Sequence, residues 1–277
     1  MNKKIIFYIS MYHIKRWKSR YHMIMGLIYF IILGDMMLRP TKTLIYELGV
    51  KPTTFAFPLL WNSTIFLMMF FFGVILLFSD SPFHDDMTPF FLIRCGNKNL
   101  TAAHIIYIIM LSFLIPICFF VIQAILFMPS LENNWGKFWG TLAQTNASLE
   151  TGSRIEFKYH ILWDFEPWEA TVVVLFICIL LCMLTGLLLY LTSILHIKTI
   201  GICILSGFII LPHIVDGLNF TTFYWLSPYS WICLNDTMRQ YNGSLPSIGY
   251  AFFILITLVI FLICFIFLKT SHQKEIL

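Results

Sequence analysis

The sequence predicts an all-α polytopic membrane protein: six transmembrane helices, an N-terminal interfacial helix, and both termini in the cytosol. Three observations carry this. The chain is 59% hydrophobic and only 12% charged, where a soluble domain carries about 25% charged residues. Six stretches without a single Lys or Arg meet or approach the ~20 apolar residues that cross a bilayer: residues 22–38, 57–78, 103–127, 170–194, 199–218 and 248–268. Lys and Arg are unevenly divided between the connecting segments, and positive segments stay inside. With the N-terminus inside, segments 1–21, 79–102, 195–198 and 269–277 hold 11 Lys or Arg in 58 residues, against 7 in the 89 residues of 39–56, 128–169 and 219–247. The acids run the other way, eight outside and four inside.

Residues 1–21 contain "KKIIFYISMYHIKRWKSR". Ile5, Ile9 and Tyr12 share one helical face, with Ser10, His13, Arg16 and Arg20 nearer the other, which predicts a helix lying in the inner interface with its basic side to the headgroups. The same segment lacks an apolar core followed by a small-residue cleavage site, so it does not resemble a signal peptide. The first span is the shortest and carries Asp35 near its outer end. The third holds His104, Gln123 and Pro116. The 128–169 segment is expected to be an extracellular loop resting partly on the bilayer, because Trp135, Trp139, Trp163 and Trp168 have the amphipathic rings that favour that boundary. Only "LHIK" joins spans four and five, which forces an antiparallel pair. "PHIVDG" interrupts the fifth span and leaves five or seven crossings as alternatives; Pro116 and Pro212 are expected to kink their helices. Gly201 and Gly207 are expected at close helix approaches, without the G-x-x-x-G spacing. The segment "NFTTFYWLSPYSWICLNDTMRQYNGSLPS" is too polar to span and too apolar for a free loop. It predicts short helices dipping into the outer leaflet, tolerated where protein buries the backbone.

The stretch "SDSPFHDDMTPFFLIRCGNKN" breaks the pattern, with acids, bases and prolines between two oily runs. Ser81-Pro82 and Thr88-Pro89 each place a capping hydroxyl before a proline. Asp85 and Asp86 suit the positive end of a helix starting near Thr88. Gly96 suits its end, with Arg94 in the last turn. The prediction is about two turns, 89–95, carrying Phe90, Phe91, Ile93 and Arg94. Such a helix is too short to hold alone. It packs either on its own spans as a loop clamp, or in a groove of a partner.

Several chemistries lack a motif. There is no G-x-x-x-x-G-K-[ST] phosphate loop, no H-E-x-x-H and no G-x-S-x-G, so the chain is not expected to be an enzyme and no catalytic residue is assigned. His84-Asp85-Asp86 suits a helix start better than a metal, and no metal site is expected. A net charge of +4 spread over the loops gives no nucleic-acid footprint and suits anionic membrane lipid instead. Seven cysteines are dispersed, with Cys233 alone on the outer side, so no intrachain disulfide framework is expected; Cys178 and Cys182, one turn apart in the fourth span, suit packing. Ionisable groups in spans are functional suspects. Asp35, His213 and Asp216 are candidates for an outer gate or cavity, the competing reading being local pairing at headgroup depth, as with Arg39.

The layout resembles the permease subunits of ABC exporters of the type-two class. "LLFSDSPFHDDMTPFFLIRCGNKN" is similar to the coupling region of the small Gram-positive kind, and "WLSPYSW" resembles the aromatic-proline stretch before their last span. The topological match covers nearly the whole chain and the residue match these two places; the long 128–169 loop exceeds the minimal family pattern. The resemblance implies a single transmembrane permease domain over 1–277 in a bacterial cell membrane, and a half-transporter completed by a second copy or a related permease. It implies two cytosolic ABC ATPase subunits that hold ATP and Mg, so that this chain binds no cofactor itself. The ATPase would dock on the 81–99 loop through Asp85, Asp86, Phe90, Phe91, Ile93 and Arg94. The cargo expected is amphipathic or hydrophobic: a peptide, a lipid-like molecule or an antibiotic. The alternative is a non-transporting immunity or sensor protein that binds an external ligand through 128–169.

Overall fold

The computed structural model of the protein describes residues 3–15, 21–49, 53, 55–81, 83, 87–127, 134–145, 158–218, 221–237, 239 and 245–272. Among these the chain is all-α, without a strand. The helices are α1 (Lys3–Lys15), α2 (Tyr21–Leu48), α3 (Phe57–Leu60), α4 (Thr64–Phe78), α5 (Thr88–Cys95), α6 (Asn97–Phe127), α7 (Gly136–Gln144), α8 (His160–Asp164), α9 (Pro167–Ile194), α10 (Lys198–Leu218) and α11 (Ile248–His272). Two 3-10 turns, Thr221–Leu226 and Pro228–Ile232, lie between α10 and α11. Five helices, α2, α6, α9, α10 and α11, are long and apolar enough to cross a membrane. The sixth apolar helix, α4, has 15 residues, or about 22 Å.

The sequence-based boundaries shift for identifiable reasons. The 57–78 stretch is interrupted at Trp61–Ser63, where Ser63 caps α4 by accepting from the Phe66 N–H at 3.4 Å. Helix α2 does not stop at 38 but runs through Pro40 to Leu48. There Asp35 pairs along the helix with Arg39 at 2.6 Å and Lys42 at 3.3 Å, so the expected loop 39–56 is helical in its first half. "PHIVDG" does not break α10, which passes through Pro212. Helix α6 starts at Asn97 rather than 103, directly after Gly96.

Helix α9 is the hub, packed against α4, α6, α10 and α11. It is apolar on nearly every face, as a helix with neighbours all round must be. Gly186 lets it meet two of them. A Cβ there would come within 2.7 Å of Ile108 Cγ2 and 3.0 Å of Phe78 Cε1. Gly201 likewise sits tight on Thr192, with a Cβ 2.3 Å from its Oγ1, whereas Gly207, expected at a close approach, faces open space. Beside the hub lies a nest of rings, Phe57, Trp61, Phe66, Phe70 and Phe119, with centroids 4.8–6.3 Å apart. Pairs of this kind add about 0.5–1.5 kcal/mol each, specificity that contact with lipid chains does not supply.

Helix α1 docks by a face other than the expected one. Ile6, Ile9, Ser10 and His13 are buried against α6, and Phe7 and Tyr8 are exposed. The stripe 6–9/10–13 is the regular i, i+3/i+4, i+7 face, and Ser10 fits it because its hydroxyl is satisfied: it lies 2.9 Å from both the Ile6 and the Ala103 carbonyls. Arg16 and Arg20 lie outside the described residues.

The far end from α5 is knit into a cap. Trp135 donates to the Phe165 carbonyl at 2.8 Å, and Arg239 reaches the Asp164 carbonyl at 2.7 Å and the Glu169 carboxylate at 3.0 Å. Trp135 and Trp139 are therefore buried in protein, while Trp163 is 82% exposed and Trp168 also projects outward. The stretch 221–232, expected as short helices, forms 3-10 turns that bury Tyr229, Ser230, Trp231 and Ile232 against α9, α10 and α11.

Candidate functional site

Helix α5 occupies the stretch read as a short docking helix; its N-cap differs from the expected one, and Gly96 ends it as expected. Met87 is the N-cap, Thr88 is the first helical residue and is buried, and no side chain caps the helix. Gly96 ends it with φ +74°, a conformation glycine adopts freely. Phe90 and Ile93, at i and i+3, are 60% and 83% exposed, and Arg94 is exposed beside them. Phe91 points the other way, its ring 5.3 Å from Tyr12 of α1, within the small apolar cluster of Ile6, Ile9 and Leu100. The expected docking set thus divides: Phe90, Ile93 and Arg94 face outward, while Phe91 holds the helix to the protein. Asp85 and Asp86, with His84, lie outside the described residues.

The loop before α5, which sequence reasoning did not single out, is itself fixed to the bundle at Ser79, Ser81 and Phe83. Phe83 is 1% exposed and has φ +60°, rare for a bulky residue. Its N–H donates to the Asp80 carbonyl at 2.8 Å. Its ring enters a cage of Tyr107 (5.0 Å), His104 (5.7 Å), Tyr190 (6.2 Å) and His13 (6.4 Å). The backbone on either side is clamped as well. The Ser193 hydroxyl of α9 lies 2.7 Å from the Leu189 carbonyl of its own helix and 3.2 Å from the Ser81 carbonyl, so its one hydrogen is shared between them, and Lys198 of α10 donates to the Ser79 carbonyl. One short loop therefore touches α1, α6, α9 and α10. The available signal was a phenylalanine in an otherwise polar run, directly after a proline.

At this same end Asn97 donates to the Thr270 carbonyl near the end of α11, at 3.3 Å. Helix α1, the loop 79–83, α5, the α9–α10 turn and the C-terminal end of α11 thus gather at one end of the bundle. His104 Nδ1 lies 3.1 Å from the Tyr190 hydroxyl there.

Each of the three gate candidates has its own polar partner. Asp35 is held by Arg39 and Lys42 on its own helix. His213 Nδ1 lies 3.1 Å from Thr64 Oγ1 at the start of α4, and Asp216 accepts from the Tyr224 hydroxyl at 3.3 Å. Among the described residues no hydrogen bond or ion pair joins Asp35 to the other two. Asp35 thus has the Arg39 partner that the local-pairing reading named, with Lys42 beside it. Asp216 has a neighbour the sequence did not reveal: Asp236, half-buried beyond the 3-10 turns. Burial and then the Asp216 charge push its carboxyl up to about 7, with Lys158 pulling the other way.

Gln123 is fully buried on α6 with neither amide atom paired. Among the described residues there is no cluster of three or more metal-ligating side chains, and the seven cysteines are unpaired. No family model, no curated protein sequence and no solved structure matches the chain.

Proposed function

We propose that the chain is the permease subunit of an ATP-driven ABC exporter of the type-two class. On this reading α2, the α3–α4 pair, α6, α9, α10 and α11 cross a bacterial cell membrane six times, with both termini in the cytosol. A separate ATPase pair supplies ATP and Mg, a second permease copy or a relative completes the path, and the cargo is amphipathic or hydrophobic.

The observation that carries this is the outward face of α5. Eight residues do not make a stable helix in water, yet this helix is held so that Phe90, Ile93 and Arg94 project from it. An aromatic, an aliphatic and an arginine on one face suit the anchor chemistry of a protein interface. The end that bears it also bears the basic segments around α1 and the last residues of α11, as a cytosolic face should. The clamps on Ser79, Ser81 and Phe83 would carry movement of α5 into α6, α9 and α10.

Co-expression with a candidate ATPase tests the reading. Ile93→Glu and Arg94→Glu should each lower ATPase capture at least about tenfold, and transport with it. Phe91→Ala should loosen α1 and leave capture intact. Unchanged capture and transport in both glutamate variants overturns the reading, as does labelling of the native Cys95 from outside intact cells.

A further inference from the structure

We propose that the outward face of α1 seats on the anionic headgroups of the adjoining membrane leaflet, with Phe7 and Tyr8 inserted and Lys15 among the phosphates. Successive residues of a helix are about 100° apart, so positions 4, 7, 8, 11 and 15 form the stripe opposite the buried one at Ile6, Ile9, Ser10 and His13. That stripe is Lys4, Phe7, Tyr8, Met11 and Lys15, with apolar side chains in the middle and a lysine at each end. Phe7 is 58% exposed and Tyr8 67%, so the protein leaves both rings largely uncovered. Rings bracketed by lysines are the pattern of a helix lying in the interface. The rings enter the acyl boundary, and the lysine stems reach back to the headgroups.

The place of α1 in the fold gives a second reason. It packs along the start of α6, where the Ser10 hydroxyl lies against the Ala103 carbonyl and Ile6 and Ile9 cluster with Leu100. Helix α6 is long and apolar enough to cross a membrane, and so is α2, which begins at Tyr21. The chain from Lys15 to Tyr21 spans no more than about 20 Å. Helix α1 is therefore held at the level where two crossings begin.

Charge names the lipid. Lys3, Lys4, Lys15, Arg16, Lys18 and Arg20 all precede the first acid of the chain, Asp35. A basic run without an acid favours an anionic surface over a zwitterionic one. The two rings alone would suit a protein groove as well; the basic run beside two crossings favours lipid.

The inference needs a chain that crosses the membrane and does not depend on the transport reading. The full chain is placed in nanodiscs of phosphatidylcholine alone, or of phosphatidylcholine mixed equally with phosphatidylglycerol, and amide exchange of residues 3–15 is followed. Exchange should be about fivefold slower with phosphatidylglycerol, the factor given by one base worth ~1 kcal/mol at an anionic surface. High salt should shrink the difference. Lys15→Gln should match the parent in phosphatidylcholine and lose at least half of the slowing; a lysine that merely stabilises the helix would speed exchange in both lipids when removed. Phe7→Ser, at a position outside the protein's own packing, should speed exchange in both. Equal exchange of the parent in the two lipids overturns the proposal, as does full slowing in Lys15→Gln or parent-like exchange in Phe7→Ser. Protection that appears only when the ATPase is added assigns the face to a protein partner and overturns it too.

Discussion

The Tyr229 hydroxyl donates to Thr185 Oγ1 at 2.9 Å. The direction is fixed because the Thr185 hydrogen is engaged by the Leu181 carbonyl at 2.7 Å. This bond pins the 3-10 turns to the hub helix at a fully buried site. Tyr229→Phe should lower stability by about 1 kcal/mol, the net worth of one hydrogen bond. Thr185→Val should be worse, about 1–3 kcal/mol, because it strands a buried hydroxyl. Thermal unfolding of the two variants decides it. A milder valine variant would mean that Tyr229 finds another partner.

Phe83 is a plug. Phe83→Ala should remove about 3–5 kcal/mol by emptying its aromatic cage, the range for a buried phenylalanine. Relief of its positive φ is not available to alanine, so nothing offsets the loss. If α5 is a docking helix, this variant in a population that still folds should retain ATPase capture and lose transport. Capture and transport falling together would mean that the buried Phe83 sets the position of the docking face as well as its coupling to the bundle.

Helix packing at Gly186 and Gly207 should respond oppositely to the same change. Gly186→Ala drives a methyl into Ile108 and Phe78, and overpacking of this type costs about 1–3 kcal/mol. Gly207→Ala meets nothing within 4 Å and should stabilise α10 by up to ~1 kcal/mol through helix propensity. Melting temperatures of the pair check this directly.

Asp236 makes stability depend on pH. Its folded pKa of about 7 is above the ~3.9 of an unfolded aspartate. The protonated form is therefore the one the fold favours, and its contribution is complete below about pH 4 and lost as pH rises through 7. Asp236→Asn should flatten that decline and be more stable than the parent at pH 8, by about 1–3 kcal/mol. Unfolding curves at pH 5, 6, 7 and 8 would show it; parallel curves for the two proteins would refute the assignment.

The long apolar helices were legible because nothing in their sequences competes with crossing a bilayer, and α5 because Pro89 and Gly96 punctuate it. The errors have local causes. Residues 39–48 look like a loop because they are polar, but Asp35, Arg39 and Lys42 satisfy one another along a helix. Ser10 and His13 look like a headgroup face because they are polar, but the Ala103 carbonyl and a set of rings receive them. Phe91 could not be told from Phe90 without knowing where α1 lies. The role of Phe83 depends on four residues spread over nearly 180 positions, His13 to Tyr190, which no periodicity reveals.

The break at Trp61–Ser63 has a consequence for how the chain is made. The Trp61 carbonyl accepts from Cys233 Sγ at 2.9 Å, and the Asn62 side-chain oxygen from the Asn235 N–H at 3.1 Å. These partners lie 172 and 173 residues further along. The 57–78 segment is thus left with two acceptors unpaired by these partners until most of the polypeptide has been made. A nascent chain cut short before residue 233 should hold residues 57–78 in a form that insertase or chaperone must shelter, and the last quarter of translation closes a gap opened in the first.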